Sequence, residues 1–137
     1  MSDTLIPPAA GRLTTHVLDT VHGTPAAGMK VDLYVRHSPT EPSQESGADG
    51  RWQLLRTVVT NADGRVDGPL LAGEDFKPAH YRLVFDVAPY FAAKSAVQAD
   101  PPFLTQVPLD FNIANAQAHY HVPLLVSPWA YSTYRGS

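Results

Sequence analysis

No cysteine occurs in the 137 residues, so neither a disulfide framework nor thiolate chemistry is available. No basic cluster appears and the formal net charge is -3, which leaves nucleic acid without an electrostatic footprint. No apolar run approaches the roughly 20 residues that span a bilayer, so no membrane partner is expected. The first eleven residues, MSDTLIPPAAG, lack the basic and apolar regions of a secretory signal, and the chain does not end in Ser-Lys-Leu. They are expected to be a flexible tail, and the missing signals and cysteines point to the cytoplasm. What is abundant is turn chemistry: 13 prolines and 9 glycines beside 44% hydrophobic residues. That balance is globular, and residues 12–137 are expected to form one domain.

Short alternating stretches fill that domain. In 12–19, RLTTHVLD, Leu13, Thr15 and Val17 share one face while Thr14, His16 and Leu18 share the other. Residues 29–36 alternate, with Met29, Val31, Leu33 and Val35 inward. The Ser-, Pro- and Glu-rich 37–50 stretch is expected to be a long exposed loop. A strand from Arg51 to about Thr60 ends at Asn61-Ala62-Asp63-Gly64, a strong turn signal, which sets Arg65 just past a tight turn. Strands are expected at 81–87 and 107–113, and a helix of about two turns over Pro89–Ala96. Seven or eight short strands with one short helix predict an all-β sandwich. Pro123 cannot donate to a ladder, so it marks an edge or a bulge.

The chain closes on HYHVPLLVSPWAYSTYRGS, residues 119–137. His119 and His121 stand at i and i+2, so on a strand they lie side by side with Tyr120 opposite. Of the six histidines, His22, His37 and His80 adjoin turns and read as surface residues. His16, His119 and His121 lie on expected strands. Three histidines could hold a zinc ion with one position left for water. Without a metal, a neutral imidazole could take a proton from water near pH 7 while Arg65 stabilises a developing oxyanion. The Ser137 hydroxyl and terminal carboxylate add hydrogen-bonding groups. No Gly-x-Ser-x-Gly elbow exists, which favours direct attack by an activated water over covalent catalysis.

Several of these stretches together resemble one known family. Tyr134-Arg135-Gly136-Ser137, the 119–137 stretch as a whole, Leu13-Thr14-Thr15-His16-Val17-Leu18-Asp19, the turn Thr60 to Arg65, and Tyr81 to Asp86 with Tyr90-Phe91 are similar to the transthyretin-like family, and within it to the ring-opening hydrolase branch. The resemblance covers nearly all of 12–137. It implies an eight-stranded transthyretin-like β-sandwich with one short helix, assembled as a homotetramer, a dimer of dimers. The active sites of such a tetramer lie in the channel where dimers meet. It implies hydrolysis of 5-hydroxyisourate, a small molecule, to 2-oxo-4-hydroxy-4-carboxy-5-ureidoimidazoline in urate breakdown, with no cofactor and no metal. The catalytic positions carried over are His16, Arg65, His121 and Ser137. Arg135, Gly136, Tyr134 and His119 are implied to bind substrate or shape the pocket. The hormone-carrying members share the fold but lack the Tyr-Arg-Gly-Ser ending and the histidine pair. A carrier of a small aromatic ligand is the alternative function, and an adhesion or scaffold module without a polar pocket is a third.

Overall fold

The structure, a computed structural model, describes residues 11–37 and 51–137. Two layers enclose the core. One is an antiparallel sheet in the order β5 (Trp52–Val59), β4 (Lys30–Arg36), β7 (Ala79–Asp86), β8 (Gln106–Ile113). The other is built from the two ends of the domain. β1 (Arg12–Thr14) pairs in parallel with β9 (His119–His121), and β2 (Val17–Asp19) pairs in parallel with β10 (Leu124–Val126). The short strands β3 (Thr24–Pro25), β6 (Leu71–Ala72) and β11 (Tyr131–Ser132) flank them.

The two parallel pairs form one ladder in one register: Arg12 stands opposite His119, Thr14 opposite His121, Val17 opposite Leu124 and Asp19 opposite Val126. Val122 N–H donates to Thr14 O and Leu124 N–H to His16 O, each at 2.9 Å, so pairing carries across the gap. The expected strand 12–19 is therefore present but interrupted at Thr15-His16. There the buried Thr15 hydroxyl donates to the Val122 carbonyl at 2.7 Å. Pro123 sits in the matching gap between β9 and β10, as its missing N–H anticipates.

The inward face is the one the alternation predicts. Leu13, Val17, Leu124 and Val126 from one layer meet Val31, Leu33, Leu83, Phe85, Val107 and Leu109 from the other, all buried. Thr14, His16, His119 and His121 stay half-buried on the opposite face of their layer. Gly11 is already buried, and a Cβ there would lie 2.1 Å from Ala116 O, so only residues 1–10 of the expected tail lie outside the described residues. Positions 38–50 of the expected loop also lie outside them.

The one α-helix among the described residues, α1, spans Val87–Ala93 rather than 89–96. Val87 and Ala88 N–H both donate to Thr105 O at 3.1 Å, which starts the helix two residues before Pro89. Pro89 thus still falls in the first turn, where its missing N–H has no intrahelical partner to lose. Ser95, at φ 58, ends it. No helix among the described residues is long and apolar enough to cross a membrane.

Candidate active site

A cavity of about 300 Å³ opens on the outer face of the β1–β9 pair, lined by Arg12, Thr14, Arg65, His119, His121 and Ser137 among others. Each side chain is delivered by a constraint that can be traced to its local sequence. β1 and β9 alternate in phase, so Thr14 and the two histidines project to one side. Thr14 Oγ1 lies 2.8 Å from His119 Nε2 and 2.8 Å from His121 Nδ1.

Arg65 arrives on the turn that follows β5. Asn61 organises that turn: its side-chain oxygen accepts the N–H of Asp63 and of Arg65 at 2.9 and 3.1 Å, and its backbone N–H donates to Arg65 O at 2.8 Å. Gly64 adopts φ +74, and a Cβ there would sit 2.5 Å from Val17 O. The glycine lets the turn press against β2, where Val17 N–H donates to Gly64 O at 2.8 Å and His16 bridges Arg65. His16 Nε2 lies 2.9 Å from the Asp63 carbonyl oxygen. A carbonyl only accepts, so this nitrogen carries the ring hydrogen and Nδ1 keeps its lone pair.

The tail closes the site from the other edge. His121 and Gly136 form a bridge, Gly136 N–H donating to His121 O at 2.7 Å. That bond places Ser137 at the cavity wall.

The electrostatics keep the imidazoles neutral. Burial, and then the Arg65 guanidinium, pull both His16 and His121 below the usual histidine value of 6.5. For His121 the neighbouring His119 and His16 act in the same direction. His119 is lowered too, by burial and then by Arg12 and Arg135. A group of neutral imidazoles beside a fixed guanidinium can accept a proton from water and stabilise a nearby oxyanion.

Of the residues expected at the site, Arg65, His119, His121 and Ser137 line this cavity, and Gly136 backs His121. His16 adjoins it through Arg65 and Asp63. Tyr134 and Arg135 lie elsewhere, lining a separate cavity of about 600 Å³ beside β8. The Arg135 guanidinium stacks 4.2 Å from the Tyr120 ring centroid and reaches His119 O at 3.4 Å, on the strand face away from the histidines. Arg12 and Thr14 are cavity residues that the motifs alone did not single out. The alternation that sets Thr14 beside His16 already held the signal for Thr14. A larger cavity, about 1050 Å³, lies beside Arg36, Arg56, Lys77 and His80 and contains none of the expected site residues.

Fold and site together define a transthyretin-like sandwich with a polar, histidine-bearing pocket on the sheet that joins its two ends. The family model described as HIUase/Transthyretin family matches residues 13–136, and the chain belongs to that family. A curated relative from Rhizobium meliloti (strain 1021), 5-hydroxyisourate hydrolase 2, is 54% identical over 128 residues, covering 93% of this chain and 98% of its own. Among solved structures, (S)-allantoin synthase superposes with a TM-score of 0.82 at 46% identity, over 94% of this chain but 44% of that longer chain. Sea bream transthyretin in complex with thyroxine gives a TM-score of 0.75 at 28% identity, over 91% of this chain and 94% of its own.

Proposed function

We propose that the chain is a hydrolase that opens the six-membered ring of 5-hydroxyisourate, giving 2-oxo-4-hydroxy-4-carboxy-5-ureidoimidazoline. The observation that carries the reading is the convergence of His119, His121, Arg65 and Ser137 on one cavity of about 300 Å³, with His16 held at its edge by the Arg65 turn. The 54% identity to a protein named for this activity supports it.

In this reading His121 takes a proton from a water molecule as the water oxygen attacks the ring carbonyl carbon. Negative charge gathers on the carbonyl oxygen, where Arg65 stabilises it. The carbon–nitrogen bond of the ring then breaks, the carbon becomes a carboxylate and the ring nitrogen recovers a proton. His16, with its hydrogen on Nε2 and a lone pair on Nδ1, orients the water. Ser137 holds the substrate. Gly136 shapes the pocket by backing His121, and Tyr134 and Arg135 contribute by fixing the tail rather than by touching substrate. No step needs a metal or an organic cofactor. A general base contributes typically ~10²–10⁴-fold and an oxyanion donor about 10²–10³. Assembly as a homotetramer and a cytoplasmic location complete the proposal. The first follows the resemblance, and the second fits a chain without cysteine.

A carrier would line its cavity with apolar surface, whereas two arginines and two histidines border this one. The test is ultraviolet decay of 5-hydroxyisourate, freshly generated by urate oxidase, with and without the protein. Accelerated decay that is lost in His121→Ala supports the hydrolase. No acceleration by a folded protein overturns it.

A further inference from the structure

The histidine pair is joined through a single hydroxyl, and that junction carries information about protons. Thr14 Oγ1 contacts His119 Nε2 and His121 Nδ1 at 2.8 Å each and makes no other hydrogen bond among the described residues. A threonine hydroxyl has one proton to give and lone pairs to accept with. Between two neutral rings, two N–H groups would leave the hydroxyl proton without an acceptor. Two bare nitrogens would set one lone pair against the oxygen. The arrangement that satisfies all three groups with one another has one ring donating and the other accepting.

We infer that Thr14 is a positioning residue that holds His121 with its hydrogen on Nδ1, so that His121 Nε2 presents its lone pair to water. The chain of donors runs from His121 Nδ1–H to Thr14 Oγ1, and from Thr14 Oγ1–H to His119 Nε2. The opposite direction would put hydrogen on His121 Nε2, and that nitrogen could no longer take a proton. The same arrangement occupies His119 Nε2 as an acceptor and places that ring's hydrogen on Nδ1. This gives the two histidines different tasks: His121 faces the reaction and His119 anchors the hydroxyl that orients it. Both rings sit below the usual histidine value, so the neutral forms on which the argument depends are the ones present near pH 7. The inference deepens the hydrolase reading and rests on His121 as its base.

The test compares Thr14→Val, which keeps the branched shape and removes the hydroxyl, with Thr14→Ser, which keeps the hydroxyl. Steady-state kinetics on 5-hydroxyisourate are read beside nitrogen NMR of the histidine rings, which reports the hydrogen on each nitrogen without turnover. In the wild type, His121 should carry hydrogen on Nδ1. In Thr14→Val, His121 should gain an Nε2–H population, and kcat should fall about 10²-fold or more with KM little changed, since a base in the wrong tautomer is silent. Thr14→Ser should restore both. A wild-type spectrum with hydrogen on His121 Nε2 overturns the inference even if Thr14→Val fails to fold. So does a folded Thr14→Val with wild-type kcat and an unchanged spectrum. An inactive wild type with the expected tautomer change would instead remove the hydrolase reading and leave the hydroxyl's positioning role standing.

Discussion

His121 and Gly136 exchange both of their backbone hydrogen bonds, Gly136 N–H to His121 O at 2.7 Å and His121 N–H to Gly136 O at 3.2 Å. The tail is thereby stitched to the strand that bears the histidines. A Cβ added to Gly136 would lie 3.2 Å from His121 Cβ and 3.3 Å from its Cδ2, tighter than ordinary packing. Gly136→Ala should therefore push the imidazole by a few tenths of an ångström without unfolding the sandwich. We expect kcat on 5-hydroxyisourate to fall by roughly 10- to 100-fold, because small misplacements of a reacting group are costly, with the thermal midpoint nearly unchanged. Kinetics and a melt on the same preparation check both parts.

The Arg65 turn separates into a chemical part and a structural part. Arg65→Gln removes the guanidinium but leaves the Asn61 hydrogen bonds, which go to backbone atoms. It should lower kcat by about 10²–10³, the usual effect of losing an oxyanion donor, while stability holds. Gly64→Ala should do more harm to the fold. It imposes φ +74 on an alanine and drives its Cβ to within 2.5 Å of Val17 O. Strain of this kind costs on the order of 1–3 kcal/mol, and moving β2 also moves His16. Chemical denaturation should separate the two variants clearly.

The alternation of Leu13, Thr15 and Val17 against Thr14, His16 and Leu18 matches the buried and half-buried faces of the structure, because a strand offers only two sides. The turn at Asp63-Gly64 was legible for a similar reason: few residues accept positive φ. The pairing of residues 12–19 with 119–126 was not legible. Parallel pairing across the whole chain leaves no local turn signal, and the interruption at Thr15 depends on a hydroxyl reaching Val122 O, a contact set by the fold. Tyr134 and Arg135 show the same limit. The tail motif names four consecutive residues, but where each side chain lands is set by how the tail docks on β9 through the His121–Gly136 bridge, and Tyr134 and Arg135 line another cavity.

In the sequence Asp19 only ends a motif, and His22 adjoins a turn. The structure makes them one cluster. The buried Asp19 carboxylate accepts the N–H of Val21 and of His22 at 2.9 and 3.0 Å, and its Oδ2 lies 2.7 Å from both the His22 ring Nδ1 and the Tyr90 hydroxyl. Burial alone would raise the carboxyl, but the hydrogen bonds from His22 and Tyr90 outweigh it and leave the group below its usual range. The Tyr90 phenol is pushed up, by burial and then by Asp19. Tyr90→Phe should lose about 1.5–3 kcal/mol of stability, as for a bond to a charged acceptor. A carboxyl lowered by folding contributes stability above its unfolded value, near 3.9, that is lost as pH falls through the folded value. The gap between wild type and Tyr90→Phe in urea denaturation should thus be full at pH 6 and shrink as pH falls well below about 4.

The acid limb of the reaction follows from the same sign reasoning applied to His121. The ring must be neutral to accept a proton, and burial followed by Arg65 lowers its value below 6.5. Half-protonation therefore falls below 6.5, so kcat/KM should fall toward acid pH on a limb whose midpoint lies on the acid side of that value. Arg65→Gln removes the charge that disfavours the imidazolium while leaving the burial in place. Its residual activity should show the limb displaced to higher pH, toward the ordinary histidine value. His119→Gln removes a smaller contribution of the same sign, and its limb should move the same way by less. Initial rates from pH 5 to 8 decide the matter: a limb that stays fixed in Arg65→Gln would mean that the titrating group is not the histidine beside the guanidinium.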